Sequence, residues 1–246
     1  MSLINTSRNQ HVLEIEMNRP EKRNALTIGM YRLLEDAFTT GQQDNDIRVV
    51  LLRGQPLCFT AGNDLKDFLE DPPQDENAPV FGLMKILAGF PKPLICAVNG
   101  PAVGIGTTIC LHADLIYCGA STRFQMPFVR LGLVPELASS YLLPLMVGHA
   151  RAFELLALGE PFDAATAKEL GLVNAVFDDE AYLSEARHKA VDLAGLPPEA
   201  VQQAKSLMKR QFIDTSLQAI HEETRIFSRR LNSPEARRAM AEFFAK

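Results

Sequence analysis

The pattern of apolar and polar residues predicts alternating strands and helices over most of the chain. Residues 11–17 alternate as a strand with one buried face does, and residues 47–53 and 94–98 are apolar runs typical of buried strands. Between the first two strands, residues 28–39 place apolar side chains at helical spacing behind Thr27, a residue type favoured as an N-cap. This order of strand, helix and strand predicts an α/β fold.

From Pro197 onward, the pattern changes to helices alone. We expect an α/β core over residues 1–195 and a C-terminal helical region over residues 196–246. The amphipathic faces of these last helices would lie exposed on a single copy of the chain, which favours packing against another subunit. Three helices are predicted there with no strand among them, at residues 199–212, 217–231 and 234–244.

Two glycine loops follow apolar strands. The first, residues 61–64 (AGND), ends the apolar run that begins at Val49, and the second, residues 99–106 (NGPAVGIG), leads into a helix-compatible run. The first N–H groups of a helix have no intrahelical acceptor, and missing β-carbons let a ligand approach the backbone closely. Two such N–H groups that meet at one point stabilise a carbonyl oxygen as it gains charge. The sequence alone does not show whether the loops meet.

Three separated motifs resemble the signatures of the crotonase superfamily of enoyl-CoA hydratases and isomerases, and the resemblance covers nearly the whole chain. It implies a spiral of β-β-α repeats and a C-terminal helical trimerisation region, in a homotrimer or a dimer of trimers. It also implies an acyl-CoA substrate that brings its own coenzyme A, no tightly bound cofactor, and a place in fatty acid β-oxidation. The motifs are NRPEKRNAL at residues 18–26, FTAGNDL at residues 59–65 and NGPAVGIG at residues 99–106.

The resemblance implies roles for single residues. The backbone N–H groups of Asn63 and Ile105 are expected to form an oxyanion hole, and backbone groups at Ala61 and Leu65 are expected to lie around the adenine and pantetheine. The substrate-binding residues implied in all are Ala61, Gly62, Asp64, Leu65, Lys22, Arg23, Gly104, Phe81, Met84 and Phe128.

Some of these residues also have a structural interpretation. The cations Lys22 and Arg23 are expected to contact coenzyme A phosphates or to belong to a solvated face. Phe81 and Met84, in a predicted helix at residues 81–90, are expected to line the acyl pocket or to belong to the core. The acidic, proline-rich residues 70–79 are expected to form a mobile loop beside that pocket.

The carboxylates of the chain favour isomerisation over hydration. A hydratase of this superfamily uses two carboxylates to polarise a water molecule, but alignment with the family pattern places Thr108 and Phe128 at those two positions. Glu136, within VPELASSY, instead resembles the single glutamate of the Δ3,Δ2-enoyl-CoA isomerase branch. The resemblance implies that Glu136 takes a proton from C2 of a 3-enoyl thioester and returns it to C4.

Glu136 has a structural interpretation as well. Residues 122–129 begin with a predicted strand that Pro127 closes, and Pro135 is expected to open a helix that ends near Pro144. A carboxylate in the first turn of that helix would complement the helix dipole. Three alternative functions therefore stay open: an enoyl-CoA hydratase, another acyl-CoA enzyme of the crotonase type, and a non-catalytic module that binds acyl-CoA or acyl-lysine.

Composition argues against other classes of function. The net charge is −5 without long basic runs, so we expect no nucleic acid partner. The cysteines and histidines lack metal-ligand spacing, so no metal is expected. No stretch approaches the ~20 apolar residues of a membrane helix, and the N-terminus shows no signal-peptide core. We therefore expect a soluble, cytoplasmic protein that does not bind membranes.

Overall fold

A six-stranded sheet forms the centre of the fold in this computed structural model, which describes residues 2–70 and 78–244. The strands are β1 (Ile4–Asn9), β2 (Val12–Met17), β3 (Val49–Arg53), β4 (Leu94–Val98), β5 (Pro101–Val103), β6 (Leu115–Gly119), β7 (Arg123–Gln125), β8 (Phe162–Asp163) and β9 (Ala175–Phe177). The main sheet has the order β1-β2-β3-β4-β6-β9, and β5-β7-β8 form a second, small sheet. Only the β1–β2 pair of the main sheet is antiparallel.

Helices cover both faces of the main sheet, which explains why β3 and β4 are continuous apolar runs. The predicted N-cap is confirmed, since the Thr27 hydroxyl accepts the N–H of Met30 at 3.3 Å. The helices are α1 (Ile28–Gln43), α2 (Leu65–Glu70), α3 (Pro79–Gly89), α4 (Ile105–Cys110), α5 (Ser139–Val147), α6 (His149–Phe153), α7 (Ala164–Glu169), α8 (Tyr182–Ala194), α9 (Pro198–Leu231) and α10 (Pro234–Phe244).

The C-terminal helices share the main hydrophobic core. Ile220, Phe227 and Leu231 of α9 are buried in the same cluster as the inner side chains of β2 and β3. An ion pair between Lys205 of α9 and Asp114, at 2.7 Å, ties the helix to the start of β6. The α/β class and the C-terminal helical region are thus confirmed, while the boundary at residue 195 stays a prediction.

The prediction of two separate helices at residues 199–212 and 217–231 is wrong, because α9 runs unbroken for 34 residues. Residues 213–216 have low helix propensity, but the chain contains no glycine or proline between residues 199 and 231. Ser216 and Ile220 are buried against the core. Tertiary packing therefore carries the helix through this weak stretch.

The segment around Glu136 also differs from the prediction. Before it, the expected strand forms as Arg123–Gln125 and ends ahead of Pro127, which cannot donate a hydrogen bond to a sheet. The expected helix from Pro135 begins only at Ser139. Leu137 and Ala138 have φ angles of 55° and 54°, whereas helical residues have negative φ angles. The helix therefore cannot include these two residues. Glu136 therefore lies in a tight loop, residues 136–138, called the Glu136 loop below.

None of the helices in residues 2–70 and 78–244 is long and apolar enough to cross a membrane. The same residues contain no cluster of three or more His, Cys, Asp or Glu side chains arranged to hold a metal ion. The acidic segment expected at residues 70–79 lies largely outside the described residues.

Candidate active site

The two glycine loops lie against each other. The N–H of Thr60 donates to the carbonyl of Pro101 at 3.0 Å, and the N–H of Val103 donates to the carbonyl of Thr60 at 3.0 Å. Gly62 has φ +93°, and a β-carbon there would lie 2.9 Å from the Val103 carbonyl oxygen. Glycine is thus required both by the backbone angle and by the close approach of the second loop.

Both predicted oxyanion donors start from suitable local geometry. Ile105 is the first residue of α4, so its N–H has no acceptor within the helix. Leu26 donates to the Gly62 carbonyl at 2.8 Å and accepts from Asp64 at 2.9 Å. In this parallel bridge the N–H of Asn63 points away from Leu26. Two adjacent loops therefore each present one N–H that the local backbone leaves free for a ligand.

A groove of about 720 Å³ runs past these loops. Its size falls within the range of small-molecule sites. Helices α9 and α10 close one side of it with Phe227, Leu231, Phe243 and Phe244, none of which the sequence had singled out. Of the predicted residues, those that line the groove are Arg23, Ala61, Gly62, Asn63, Asp64, Leu65, Gly104 and Phe128.

Other predicted residues, Glu136 among them, do not line the groove. Lys22 is exposed at the end of a 3₁₀ turn, Pro20–Lys22. Phe81 and Met84 are 4% and 1% exposed and belong to the main core, where α3 packs along α1. Their contact with an acyl group stays a prediction that this packing does not favour. Ile105 is fully buried next to Gly104, so its contribution is its N–H group rather than its side chain.

Asp64 lines the groove but is engaged with the protein. Its Oδ2 accepts a hydrogen bond from Arg19 at 2.8 Å, and its Oδ1 accepts the N–H of Lys66 at 3.2 Å at the start of α2. Burial opposes ionisation of Asp64, but the Arg19 hydrogen bond and the helix N–H groups outweigh it and lower its pKa. Asp64 therefore stays ionised and stabilises the first glycine loop.

Glu136 is the carboxylate whose environment departs most from water. It is 5% exposed, and its Oε1 is buried with no hydrogen-bond partner among the described residues. Burial and, to a lesser extent, the nearby charge of Glu223 raise the pKa of Glu136 to about 8, against a hydrogen bond from the Asn63 side chain that lowers it. A carboxylate with this pKa can take up and release protons near neutral pH.

Tyr31 of α1, which the sequence reasoning missed, reaches the same site. Its hydroxyl donates to Oδ1 of Asn63. This hydrogen bond orients the side-chain amide of Asn63 so that its NH₂ group is directed at Glu136. Tyr31 is fully buried, and burial and the Glu136 charge raise its pKa, so the hydroxyl stays protonated. In the sequence, the one sign of this role was the polar hydroxyl group of Tyr31 among the apolar side chains on the buried face of α1.

Thr108 and Phe128, which the resemblance predicts at the two hydratase carboxylate positions, cannot exchange protons near pH 7. Thr108 is fully buried in α4, where its hydroxyl donates to the Ile105 carbonyl at 3.4 Å. The ring of Phe128 lies next to Gly104, 3.7 Å from where a β-carbon would stand. Besides Asp64, the carboxylate that lines the groove among the described residues is Glu242, which pairs with Arg238 at 3.0 Å.

Comparison with known proteins decides the family. The sequence profile described as enoyl-CoA hydratase/isomerase matches residues 7–246. The chain belongs to the enoyl-CoA hydratase/isomerase family. The 1,2-epoxyphenylacetyl-CoA isomerase of Escherichia coli is 35% identical over 96% of this chain and 92% of its own length. The human enoyl-CoA delta isomerase 2 is 34% identical over 96% of this chain, which spans 61% of the human protein.

Solved structures show the same fold. The structure of Pseudomonas aeruginosa OdaA matches with a TM-score of 0.98 and 47% identity over 100% of both chains. An enoyl-CoA hydratase/isomerase from Pseudoalteromonas atlantica matches with a TM-score of 0.95 and 39% identity over 99% of this chain and 97% of its own. The predicted crotonase-like fold is therefore confirmed.

Membership of the enoyl-CoA hydratase/isomerase family makes the protein an acyl-CoA enzyme, as the motifs predicted. Its relatives include hydratases as well as isomerases. The 2,3-dehydroadipyl-CoA hydratase of Escherichia coli is 34% identical over 93% of this chain and 90% of its own length. Because both kinds of relative are about equally similar, the choice of reaction depends on the residues of the site.

Proposed function

We propose that this enzyme moves a double bond from C3 to C2 of an enoyl-CoA, with Glu136 as its sole acid and base. The observation that carries the proposal is the environment of Glu136, which has a buried oxygen without a hydrogen-bond partner and a pKa of about 8. A buried carboxylate oxygen without a hydrogen-bond partner calls for an explanation, and proton transfer supplies one. Thr108 and Phe128 at the hydratase positions support the same choice.

The proposed reaction balances with one carboxylate. Ionised Glu136 accepts the proton from C2 of a 3-enoyl thioester, and the electron pair of the broken C–H bond passes into a dienolate. The N–H groups of Asn63 and Ile105 hold the dienolate oxygen as its charge develops. Glu136 then returns the proton to C4, and the double bond forms between C2 and C3. No proton is gained or lost overall, so the carboxylate ends in its starting state.

The pKa of Glu136 suits both halves of this cycle. A carboxylate of ordinary pKa is a weak base toward a carbon acid, because the proton it accepts is bound too loosely. Burial strengthens Glu136 as a base and still leaves a sizeable ionised fraction at pH 7 to 8. Tyr31 and Asn63 hold the surrounding hydrogen bonds in one arrangement, so the carboxylate can move its proton without rearranging its neighbours.

The test is Glu136→Gln, assayed with 3-enoyl-CoA and 2-enoyl-CoA thioesters of several chain lengths. Gln has nearly the same size but cannot accept the C2 proton, so isomerisation should fall by at least ~10³-fold while thioester affinity changes little. Glu242→Gln, which alters an exposed groove carboxylate, is the matched control and should isomerise normally. Full isomerase turnover in Glu136→Gln would falsify the assignment of this residue.

The same turnover assay, together with calorimetry, separates the alternative functions. Faster hydration of 2-enoyl thioesters than isomerisation of 3-enoyl thioesters would make the enzyme a hydratase. Binding of acetyl-CoA in calorimetry without turnover of either substrate would favour a binding module. Lack of binding at millimolar acetyl-CoA would contradict both the proposed substrate and the proposed contacts of the glycine loops.

We also propose a homotrimer or a dimer of trimers, supported by exposed apolar side chains on the C-terminal helices. Leu207 and Met208 of α9 are 62% and 65% exposed, and Phe243 of α10 is 57% exposed. Large exposed apolar side chains on amphipathic helices favour surfaces that another subunit covers. Light scattering should give a mass of three or six chains, and a monomer at micromolar concentration would contradict the proposal.

A further inference from the structure

The Glu136 loop has a backbone that its own residues do not favour. Leu137 and Ala138 both adopt φ angles in the left-handed region, at 55° and 54°. A β-carbon is disfavoured in this region, and two such residues in a row are unusual. Neither residue is a glycine, in contrast to Gly62 in the first glycine loop. Contacts from other parts of the fold must therefore hold the loop.

Glu223 of α9 supplies the largest share of these contacts. Its Oε2 accepts the N–H of Ala138 at 2.6 Å, and its Oε1 accepts the N–H of Ser140 at 2.9 Å and the Ser140 hydroxyl. A carboxylate that accepts N–H groups forms stronger hydrogen bonds than a neutral group. Glu223 thus caps α5 from a helix that is more than 80 residues away in the chain.

Two further hydrogen bonds complete the support of the loop. The Ser139 hydroxyl donates to the Glu136 carbonyl at 2.6 Å. Nε2 of His112 lies 2.9 Å from the Leu137 carbonyl. Burial lowers the pKa of His112 to about 4, so the ring is neutral and Nε2–H donates. The Glu136 loop is therefore held by Glu223 of α9, by Ser139 of α5 and by His112, which follows α4.

The charge of Glu223 is a second feature of this arrangement. Glu223 is 6% exposed, and none of the ion pairs within residues 2–70 and 78–244 includes it. A buried carboxylate without a cation costs stability, and a neutral amide side chain would offer part of the same cap. Burial raises the pKa of Glu223, while the hydrogen bonds that it accepts from Ser140 and Ala138 act the other way and favour its charged form. That charge in turn raises the pKa of Glu136.

We propose that Glu223 is a positioning residue of the active site, which holds the Glu136 loop in its left-handed conformation and keeps a negative charge beside Glu136. This inference rests on the proposed function, since it explains how Glu136 is kept both in place and strongly basic. A negative charge near a carboxylate favours its protonated form, which strengthens it as an acceptor for the weakly acidic C2 proton. Helix α9 thereby becomes part of the catalytic apparatus.

Few other groups near Glu136 change charge between pH 6 and 9. Tyr31 faces Glu136 from α1, but burial raises its pKa and keeps it neutral. His112 stays neutral because its pKa is about 4. Burial lowers the pKa of Lys205 to about 8, and its charge acts on His112 rather than on Glu136. The titration of Glu136 itself should therefore respond mainly to Glu223.

The decisive variant is Glu223→Gln, with circular dichroism to confirm folding. The acid limb of kcat/KM for a 3-enoyl-CoA should move to lower pH by about one unit, because the charge beside Glu136 is gone. The value of kcat should fall about tenfold or more, because Gln cannot accept all three hydrogen bonds and the loop loosens. Glu222→Gln, which removes an exposed neighbour paired with Arg225, is the control and should change neither quantity.

Ser140→Ala separates position from charge. It removes one hydrogen bond to Glu223 but keeps the carboxylate, so kcat should fall while the acid limb stays in place. If Glu223→Gln does not fold, Ser140→Ala decides about the positioning role: turnover equal to that of the parent protein would overturn it.

An infrared titration of Glu136 gives a readout that does not need turnover. The carboxyl band of Glu136 is obtained as the difference between a protein with Glu136 and the same protein with Glu136→Gln, and its midpoint is compared with and without Glu223→Gln. A midpoint moved to lower pH supports the inference, and an unchanged midpoint overturns it. If no 3-enoyl-CoA is isomerised, the proposed function fails, but the infrared midpoint still decides the role of Glu223.

Discussion

The two glycine loops and the Glu136 loop reach left-handed backbone angles in different ways. In the first glycine loop the residue is Gly62, with φ +93°, and its own chemistry permits that angle. In the Glu136 loop the residues are Leu137 and Ala138, whose β-carbons oppose it. There the conformation is held by hydrogen bonds that Glu223 accepts from the backbone and by one that His112 donates to it.

The two regions therefore differ in what holds them in place. The glycine loops depend on local sequence and on direct backbone pairing, as the hydrogen bonds of Thr60 with Pro101 and Val103 show. The position of Glu136 depends on α1, on His112 after α4 and on α9, which meet only in the folded protein. A change at Glu223 of α9 should therefore weaken catalysis with little effect on thioester binding, whereas changes in the glycine loops should affect the oxyanion contacts.

The pH dependence of stability should show the largest effect, and it concerns the Glu136 loop. The pKa of Glu136 rises from 4.5 to about 8 on folding, so the folded state binds more protons between these values. The contribution of Glu136 to stability is therefore greatest below pH 4.5 and is lost as pH rises toward 8, by up to about 4 kcal/mol. Glu136→Gln should melt at a higher temperature than the parent protein at pH 8, and the two should converge near pH 5. Equal differences at both pH values would contradict the burial of an ionisable carboxyl.

Ile105→Pro should have the next largest effect and tests the second glycine loop. Proline fits the first position of α4 but has no N–H, so one oxyanion donor is removed. We expect a loss of ~2.7–4 kcal/mol in transition-state stabilisation, or about 10²- to 10³-fold in kcat. Ile105→Val keeps the N–H and most of the packing and serves as the control. Comparable kinetics in the two variants would show that this N–H is not used.

Gly62→Ala should destabilise the first glycine loop by at least ~2 kcal/mol. The added β-carbon would be strained at φ +93° and would lie 2.9 Å from the Val103 carbonyl oxygen. Gly89→Ala in α3 is the matched control, because no atom lies within 4 Å of a β-carbon there. That change should stabilise the protein by roughly 0.5–1 kcal/mol. Urea unfolding measures both, and a neutral Gly62→Ala would show that the loops can separate.

Tyr31→Phe should have a moderate effect and tests the link between the two regions. It removes the hydroxyl that donates to Asn63 and leaves a buried amide oxygen without its partner. We expect a loss of ~1–3 kcal/mol in stability, together with a lower kcat because Asn63 is freer to turn away from Glu136. Tyr141→Phe, on α5, is the control. Unchanged stability and kcat would remove Tyr31 from the site.

Ala138→Gly should have the smallest effect and the opposite sign. Glycine relieves the strain of a left-handed angle, which is offset in part by the greater freedom of the unfolded chain. We expect a change between zero and ~1 kcal/mol toward higher stability. Differential scanning calorimetry would resolve it. A clear loss of stability would mean that the buried methyl group of Ala138 matters more than its backbone angle.

Those features of the fold that depend on residues adjacent in the chain could be predicted from the sequence alone. Apolar runs marked β3 and β4, Thr27 marked the start of α1, and glycines marked the two loops. Each of these features follows from residues that lie next to one another in the chain. The three family motifs added the crotonase-like fold, which the solved structures confirm.

Only the tertiary structure decided the surroundings of Glu136. The sequence predicts a helix from Pro135. Instead, a hydrogen bond donated by His112 and another accepted by Glu223 hold a strained loop there. The raised pKa of Glu136 likewise comes from burial and from Glu223, a charge far away in the chain. Backbone strain and desolvation depend on what surrounds a residue in space, and neighbours in sequence do not specify that surrounding.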